Sequence, residues 1–168
     1  MSLSMYQASV PAFQKHLHAL DGILDKAAAY AAAKKIDPAV LLASRLYPDM
    51  FDLLRQVQAV TDFSKAASAR LAGVVVPSYP DTEKTIPELK ERIAKTLAFL
   101  DTIKPDQMNG SETKEFTIKV GPADMTFKGL DYLLHFAMPN FYFHAATAYA
   151  ILRHNGVEIG KRDFMRRQ

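Results

Sequence analysis

The strongest helical pattern of the chain lies near its C-terminus, in residues 130–156, which read LDYLLHFAMPNFYFHAATAYAILRHNG. Apolar side chains recur in this segment at the spacing of one helix face. It predicts a helix from about Lys128 to Asn155 that ends at Gly156. At 100° per residue, one stripe lies within about 40° of His144 and contains Leu130, Leu133, Ala137, Asn140, Ala148 and Ile151.

Two polar residues in this apolar stripe, Asn140 and His144, are the main functional candidates. Buried polar groups need hydrogen-bond partners, so we expect both to reach side chains on other helices. One interpretation is a hydrogen-bonded core pair that fixes the helix register, and the other is a ligand pocket or metal site. His135 falls on the opposite side of a straight helix. It stays a displaced candidate, because Pro139 removes the hydrogen bond to its carbonyl and bends the axis.

The second helix offers two partners for this pair, Asp49 and Gln56, which are seven residues apart and therefore point the same way. If they face the bundle axis, they complete a polar site with Asn140 and His144. In the alternative interpretation, Asp49 is only a helix N-terminal acid and Gln56 lies at the rim. Asp62 points away from the apolar stripe of this helix, so it is predicted to be a surface residue.

The first half of the chain contains two long helical patterns. The first extends over about Ser4–Lys35, but Pro11 favours a later start, because proline is tolerated only in the first turn of a helix. A short helical turn is predicted for residues 38–42. The second pattern opens at Tyr47-Pro48-Asp49, where proline at the first helical position and an acid in the first turn favour a helix start. Gly73 closes it.

A third helix and a β-hairpin follow. Thr85 and Glu88 have the Thr-x-x-Glu spacing of a capping box, which predicts a helix that starts there and ends at Pro105. Apolar and polar residues then alternate on both sides of a break at 121–124, the pattern of a hairpin. Four long antiparallel helices around one core predict an all-α up-down bundle, a single domain over 1–168, with a small β-hairpin before the last helix.

The composition limits the chemistry that the chain can perform. A length of 168 residues is typical of one domain. The absence of cysteine excludes disulfides, thiolate zinc sites, iron–sulfur clusters and cysteine nucleophiles, so a divalent metal would need histidine, carboxylate, amide or water ligands. The sequence shows neither a signal peptide nor an apolar run of about 18 residues, which predicts a soluble cytoplasmic protein with no membrane partner.

Charge and aromatic content bear on the partners. The net charge is +3, and the only basic cluster is typical of a solvated tail, so no nucleic-acid partner is predicted. This cluster comprises Lys161, Arg162, Arg166 and Arg167. The aromatic run Phe141-Tyr142-Phe143 spans most of the helix circumference, so a neighbouring loop or a second subunit should cover its outer side. We therefore predict a homodimer that forms through the first or last helix.

Several motifs of the sequence together resemble one known family. They are Pro139–His144, Thr147–Val157 and Gly160–Phe164, with Pro48–Phe51, Gln56-Val57 and Glu83–Leu100 earlier in the chain. They resemble a bacterial and fungal family of domains of unknown function that is grouped with the DinB/YfiT-like bundles. The resemblance covers essentially the whole chain. It implies a DinB-like four-helix bundle, often dimeric, in a family without an established activity.

The resemblance also implies where a metal would bind. The wider superfamily is similar to proposed metalloenzymes with three histidine ligands, two of them at i and i+4 on the last helix. Their second position falls on His144 and their first on Asn140, with Arg153 at the expected interval. Asparagine is a poor ligand for transition metals, and no histidine lies within 43–73 on the second helix. His144 is thus a metal-ligand candidate in an incomplete triad.

These residues lead to two functional hypotheses. The first is a polar inter-helix cavity near Asp49, Gln56, Asn140 and His144, used for non-enzymatic small-molecule binding or in a structural, self-associating role. The alternative is a metal-dependent enzyme resembling the superfamily's thiol transferases, in which a divalent metal generates a thiolate or hydroxide nucleophile. Two further nitrogen or carboxylate ligands within about 2.0–2.3 Å of one point beside His144 would favour the enzyme.

Overall fold

The computed structural model describes residues 3–166 and contains four long helical segments around one apolar core. The long helices are α1 (Met5–Lys34), α3 (Leu53–Ala72), α4 (Ile86–Thr102) and α6 (Met138–His154). Three short helices are α2 (Pro38–Leu42), α5 (Gly129–Tyr132) and α7 (Lys161–Phe164). A hairpin of β1 (Glu115–Val120) and β2 (Ala123–Lys128) precedes α5. The predicted helical bundle with a hairpin before the last helix is confirmed.

Helix α3 lies at the centre of the packing, since it contacts both α6 and α4, while α1 packs against α4, α3 and α6. On the α1 side of the core, Phe13 packs edge to face against Phe141 of α6. Their ring centroids are 4.8 Å apart. Both rings are fully buried.

Within residues 3–166, no helix has the length and apolar character needed to cross a membrane. Arg167, the last member of the basic cluster, lies outside the described residues.

Helix α1 begins earlier than Pro11 predicted. Ser4 and Gln7 form a capping box, in which the Ser4 hydroxyl accepts from the Gln7 amide and the Gln7 side chain accepts from the Ser4 amide. Pro11 lies inside the helix on its exposed face. The carbonyl that loses its partner there is that of Gln7, which is also exposed and can bind water. The N-terminal cap and the long buried stripe therefore outweigh the proline.

Helix α3 begins later than the Tyr47-Pro48-Asp49 pattern predicted. These three residues lie in an exposed turn, in which the Met50 amide donates to the Tyr47 carbonyl. Asp52 is the actual N-cap, and its carboxylate accepts from the Arg55 amide at 2.9 Å. Proline and an acid are as typical of a turn as of a helix start, so the pattern alone could not separate the two.

The later boundaries agree with their sequence signals. Thr85 caps α4 with the predicted capping box, and Gly73 ends α3 with a φ of 69°. In the hairpin, Phe116 pairs with Phe127, and both rings rest on Tyr132 at 4.8 and 5.8 Å between centroids. The predicted short helix over 38–42 is also present as α2. The hairpin therefore covers the beginning of the last helical segment.

The last helical segment is interrupted by a π-helical turn, Leu133–Ala137, between α5 and α6. It ends two residues before Pro139, whose missing amide removes the regular α-helical hydrogen bond to the carbonyl of His135. The extra residue in the turn shifts the helical phase on its N-terminal side. Leu130, predicted to be in the buried stripe, is for this reason 44% exposed, whereas Leu133 is fully buried. His135 is exposed and does not approach His144.

Candidate functional site

The candidate site lies where α3 and α6 cross. His144 and Gln56 face each other there, and the His144 Nδ1 atom is 2.7 Å from the Gln56 Oε1 atom. The Gln56 amide nitrogen donates to the carbonyl of Phe51 at 3.1 Å, just before α3 begins. Both side chains are buried. The start of α3 and the middle of α6 are thus joined by a short polar relay inside an apolar crossing.

This relay fixes the tautomer of the neutral His144 ring. Because the Gln56 nitrogen is directed to Phe51, its oxygen is the atom that faces the imidazole, and it can only accept. His144 Nδ1 therefore carries the proton, and Nε2 keeps its lone pair. Among residues 3–166, no side chain or carbonyl bonds to Nε2, and this nitrogen is not one of the fully enclosed unpartnered atoms. Nε2 is thus a free acceptor that reaches solvent.

Three phenylalanine rings surround the imidazole. The rings of Phe51 and Phe63 lie nearly parallel to it, at 6.1 and 5.5 Å between centroids, and Phe143 meets it edge to face at 5.3 Å. Phe51 and Phe143 each leave about half of their surface exposed, at 48% and 55%. Phe51, Phe63 and Phe143 therefore form an aromatic rim around the small exposed part of His144, which is 8% exposed.

Burial lowers the pKa of His144, and the positive charge of Arg55 lowers it further. The Arg55 guanidinium lies 5.6 Å from the centre of the Phe51 ring and forms an ion pair with Asp81 at 2.6 Å. Gln56, an uncharged acceptor, cannot offset this charge as a carboxylate would. His144 is consequently neutral at pH 7.

We expect this neutral histidine to make the fold less stable in acid. The unfolded chain takes up a proton near pH 6.5 while folded His144 does not, so the free energy of unfolding falls as the pH drops below about 6.5. Urea unfolding at about pH 7.5 and pH 5.5 measures the loss in the wild type and in His144→Phe. The wild type should lose more than the variant, and equal losses would contradict the assignment.

The other two predicted site residues do not join this relay. Asn140 is half-buried, and its amide donates to the carbonyl of Phe136 on the same helical segment at 2.7 Å. The bond satisfies a carbonyl of the π-helical turn rather than a group on another helix. Asp49 is exposed in the turn before α3, at the position where the predicted helix start proved wrong. The structure therefore brings together Gln56 and His144, but not all four candidates.

The donor set at His144 does not fit a divalent metal. Gln56 Oε1 already accepts from His144, and the Asn140 amide donates to a carbonyl of its own helical segment. Asp49 is exposed in the turn before α3. In the part of the chain that the structure describes, no group of three or more histidine, aspartate or glutamate side chains could hold a metal. Arg153 is exposed, nine residues or about 13 Å further along the helix. His144 alone is too weak a ligand set for catalytic zinc.

Sequence reasoning missed a second polar cluster, which lies on the other face of α3 and is centred on Arg92. This arginine is 3% exposed. Its guanidinium bonds to Thr61 at 2.7 Å, Asp62 at 2.8 Å, Asp81 at 3.0 Å and Glu83 at 3.1 Å. Asp62 also pairs with Lys65 and keeps about a third of its side chain exposed, so it lies at the solvent-facing edge of the cluster. An arginine on an apolar helix face is the one signal that could have indicated the cluster.

Comparison with known proteins agrees with this fold. Residues 5–165 match the profile of a family described as a domain of unknown function, DUF1993. The chain belongs to this family. It is also similar to a DinB family member protein from Shewanella denitrificans, whose crystal structure has a TM-score of 0.90 and 41% identity over 96% of this chain and 91% of that one. No curated protein gives a significant match. The DinB-like fold is thus shown, while the family gives no activity.

Proposed function

We propose that the site around His144 binds a small organic molecule without converting it. The observation that carries the proposal is the hydrogen bond from His144 to Gln56, which fixes the proton on Nδ1 and leaves Nε2 as an acceptor open to solvent. A ligand group that donates a hydrogen bond, such as a hydroxyl or an amide, would bind there. The low pKa of His144 keeps this acceptor available at neutral pH.

The aromatic rim supports a ligand with a flat apolar body. Phe51 and Phe143 are half exposed next to the imidazole, so a ring placed between them and Nε2 would bury apolar surface on both sides. Small-molecule sites typically combine mostly apolar walls with a few polar groups that orient the ligand. Offset and edge-to-face contacts between aromatic rings add about 0.5–1.5 kcal/mol each to the burial of area.

Binding without catalysis is favoured by the partner of His144. Catalytic histidines are typically held by a carboxylate, which stabilises the imidazolium formed when the ring takes a proton. Here the partner is the Gln56 amide, and the nearest charge that acts on the ring is the cation Arg55. The amide gives an imidazolium no counter-charge, and the charge of Arg55 opposes its formation. The same relay uses the oxygen that a metal would need, so the metal-dependent alternative has no support from these side chains.

The proposal is tested with phenol and anisole as a matched pair of probes. Phenol has the ring and the donor, whereas anisole has the ring alone. We expect phenol to shift the nitrogen-15 resonance of His144 Nε2 in a saturable way, and anisole to leave it unchanged. Calorimetric titration supplies a readout that does not need His144: phenol should bind the wild type and should not bind His144→Phe, in which the remaining fold stays in place.

Two results would contradict this function. One is a His144 Nε2 resonance that responds to neither probe, which would remove the ligand site. The other is a stoichiometric divalent ion in the purified wild-type protein that is lost in His144→Phe, which would restore the metal-dependent alternative. Elemental analysis of both proteins, purified side by side, measures the second.

A further inference from the structure

A cationic group with free hydrogen-bond donors, the guanidinium of Arg55, lies next to the aromatic rim of His144. Its Cζ atom is 5.6 Å from the centre of the Phe51 ring, and the imidazole of His144 is centred 6.1 Å from the same point. The guanidinium and the imidazole thus flank one ring, and their separation cannot exceed the sum of these two distances. Since Phe51 is half exposed, a single small molecule packed against it can reach both groups.

One side of the Arg55 guanidinium is held by the protein, and the other is free. Nη1 donates to the Asp81 carboxylate at 2.6 Å and to Gln58 Oε1 at 3.2 Å. Among residues 3–166, no group accepts from Nε or Nη2, and the side chain is 39% exposed. The hydrogens of Nε and Nη2 point the same way in the guanidinium plane. They form the two-pronged donor that matches the two oxygens of a carboxylate.

The ion pair with Asp81 leaves the charge of Arg55 effective at the site. Asp81 is not the counter-charge of Arg55 alone, because its other oxygen lies 3.0 Å from the Nη2 atom of Arg92. The positive charge of Arg55 also reaches His144, where it lowers the pKa of the imidazole. An anionic group at the free side of Arg55 would therefore meet a positive charge that its present partner does not cancel.

We propose that the ligand of this site is an aromatic acid, whose hydroxyl donates to His144 Nε2 and whose carboxylate binds Nε and Nη2 of Arg55. The inference rests on the proposed function, because it uses the same acceptor and the same aromatic rim. Its new element is the negative charge of the ligand. Phe51 packs against the ring of the ligand, and Arg55 selects the acid over neutral molecules of the same shape.

The exposure of Arg55 limits the size of this selection. Water reaches the guanidinium, and ion pairs open to water gain much less affinity than buried ones. A two-pronged contact between arginine and a carboxylate is the strongest geometry for such a pair. We therefore expect the carboxylate to improve the affinity by roughly three- to tenfold, and the gain to decrease in about 1 M salt.

Acid and amide pairs of the same shape test the inference in the wild-type protein. The para isomers of hydroxybenzoate and hydroxybenzamide share the ring and the phenolic donor, and they differ in charge. The meta isomers repeat the comparison with the two groups closer together. In calorimetric titrations at low salt, the acid should bind more tightly than the amide in at least one of the two pairs, and high salt should reduce the difference.

Two arginine variants show whether Arg55 causes the preference. Arg55→Gln should bind acid and amide with equal affinity, while its affinity for the amide stays within about twofold of the wild type. Arg153→Gln removes the same charge from an exposed arginine of α6, so it is the matched control and should keep the preference. Circular dichroism checks that both variants retain the helical fold.

The possible outcomes separate this inference from the function on which it rests. If the wild type binds acid and amide equally in both pairs, the inference is overturned, but the site still binds ligands that carry a donor. An acid preference that persists in Arg55→Gln overturns it as well, because another group then holds the carboxylate. If neither acid nor amide binds, both the inference and the proposed function are wrong.

Discussion

Replacing Arg92 by alanine will lower the free energy of unfolding by about 3–5 kcal/mol, because it removes one partner from a buried ion-pair cluster. Arg92 joins α4 to α3 through Asp62, and to the connector between them through Asp81 and Glu83. Without the guanidinium, three carboxylates remain close together with fewer compensating cations. The loss therefore combines broken hydrogen bonds with repulsion between acids.

An exposed ion pair on the same helix provides a control, because its loss shows the effect of ion pairing without burial. Lys90 pairs with Asp21 and Asp25 of α1, but its partners are well exposed to solvent. Lys90→Ala should reduce the stability by no more than about 1 kcal/mol, as is usual for surface pairs. Urea unfolding of the two variants and the wild type measures the difference. Equal effects of the two substitutions would contradict a special role for Arg92.

The pH dependence of the Arg92→Ala effect is a further consequence. Burial alone would raise the pKa of Glu83, but hydrogen bonds from Gln58 and Arg92 and the charge of Arg92 together hold it below its usual value. Removal of Arg92 raises this pKa, so the variant can relieve its repulsion by taking up protons in acid. The stability deficit of Arg92→Ala should thus be largest near pH 7 and smaller near about pH 4.

The long helices could be predicted from sequence because their signals are local. The capping box at Thr85 and the glycine at Gly73 mark boundaries through contacts within one turn, and the structure has both. Helical phase also placed His144 within the apolar stripe of its helix and left Gln56 between the bundle axis and the rim; the two side chains meet at the α3–α6 crossing. Such arguments succeed when the helix is regular between the residues that are compared.

The remaining features depend on contacts between distant segments. The π-helical turn before Pro139 changed the phase of Leu130, which no fixed angle per residue could predict. The partners of Arg92 lie up to 31 residues away in sequence, so no local spacing indicates them. The Asn140 amide donates to the carbonyl of Phe136, which belongs to the irregular turn of its own helical segment. A polar residue within the apolar stripe of a helix thus indicates that it needs a hydrogen-bond partner, but the spacing does not identify that partner.

Replacing Gly129 by alanine will destabilise the chain by about 3 kcal/mol, through a close approach of two backbone segments. Gly129 is buried at the start of α5, and a Cβ atom added there would lie 1.9 Å from the carbonyl oxygen of Ser111. The Gly129 amide also donates to Lys114 at 2.9 Å, so the two segments cannot separate without losing this bond. The junction between the hairpin and the last helical segment would have to shift.

Thermal unfolding measures this loss of stability, and a second glycine, at which alanine should raise the stability, serves as the control. For a chain of this length, about 3 kcal/mol corresponds to a decrease of roughly 6–12 °C in Tm for Gly129→Ala. Gly22 lies exposed within α1, with nothing within 4 Å of an added Cβ atom. Gly22→Ala should raise the stability by about 0.5–1 kcal/mol, because alanine is the better helix former. If Gly129→Ala unfolds at the wild-type temperature, the close contact with Ser111 does not constrain this junction.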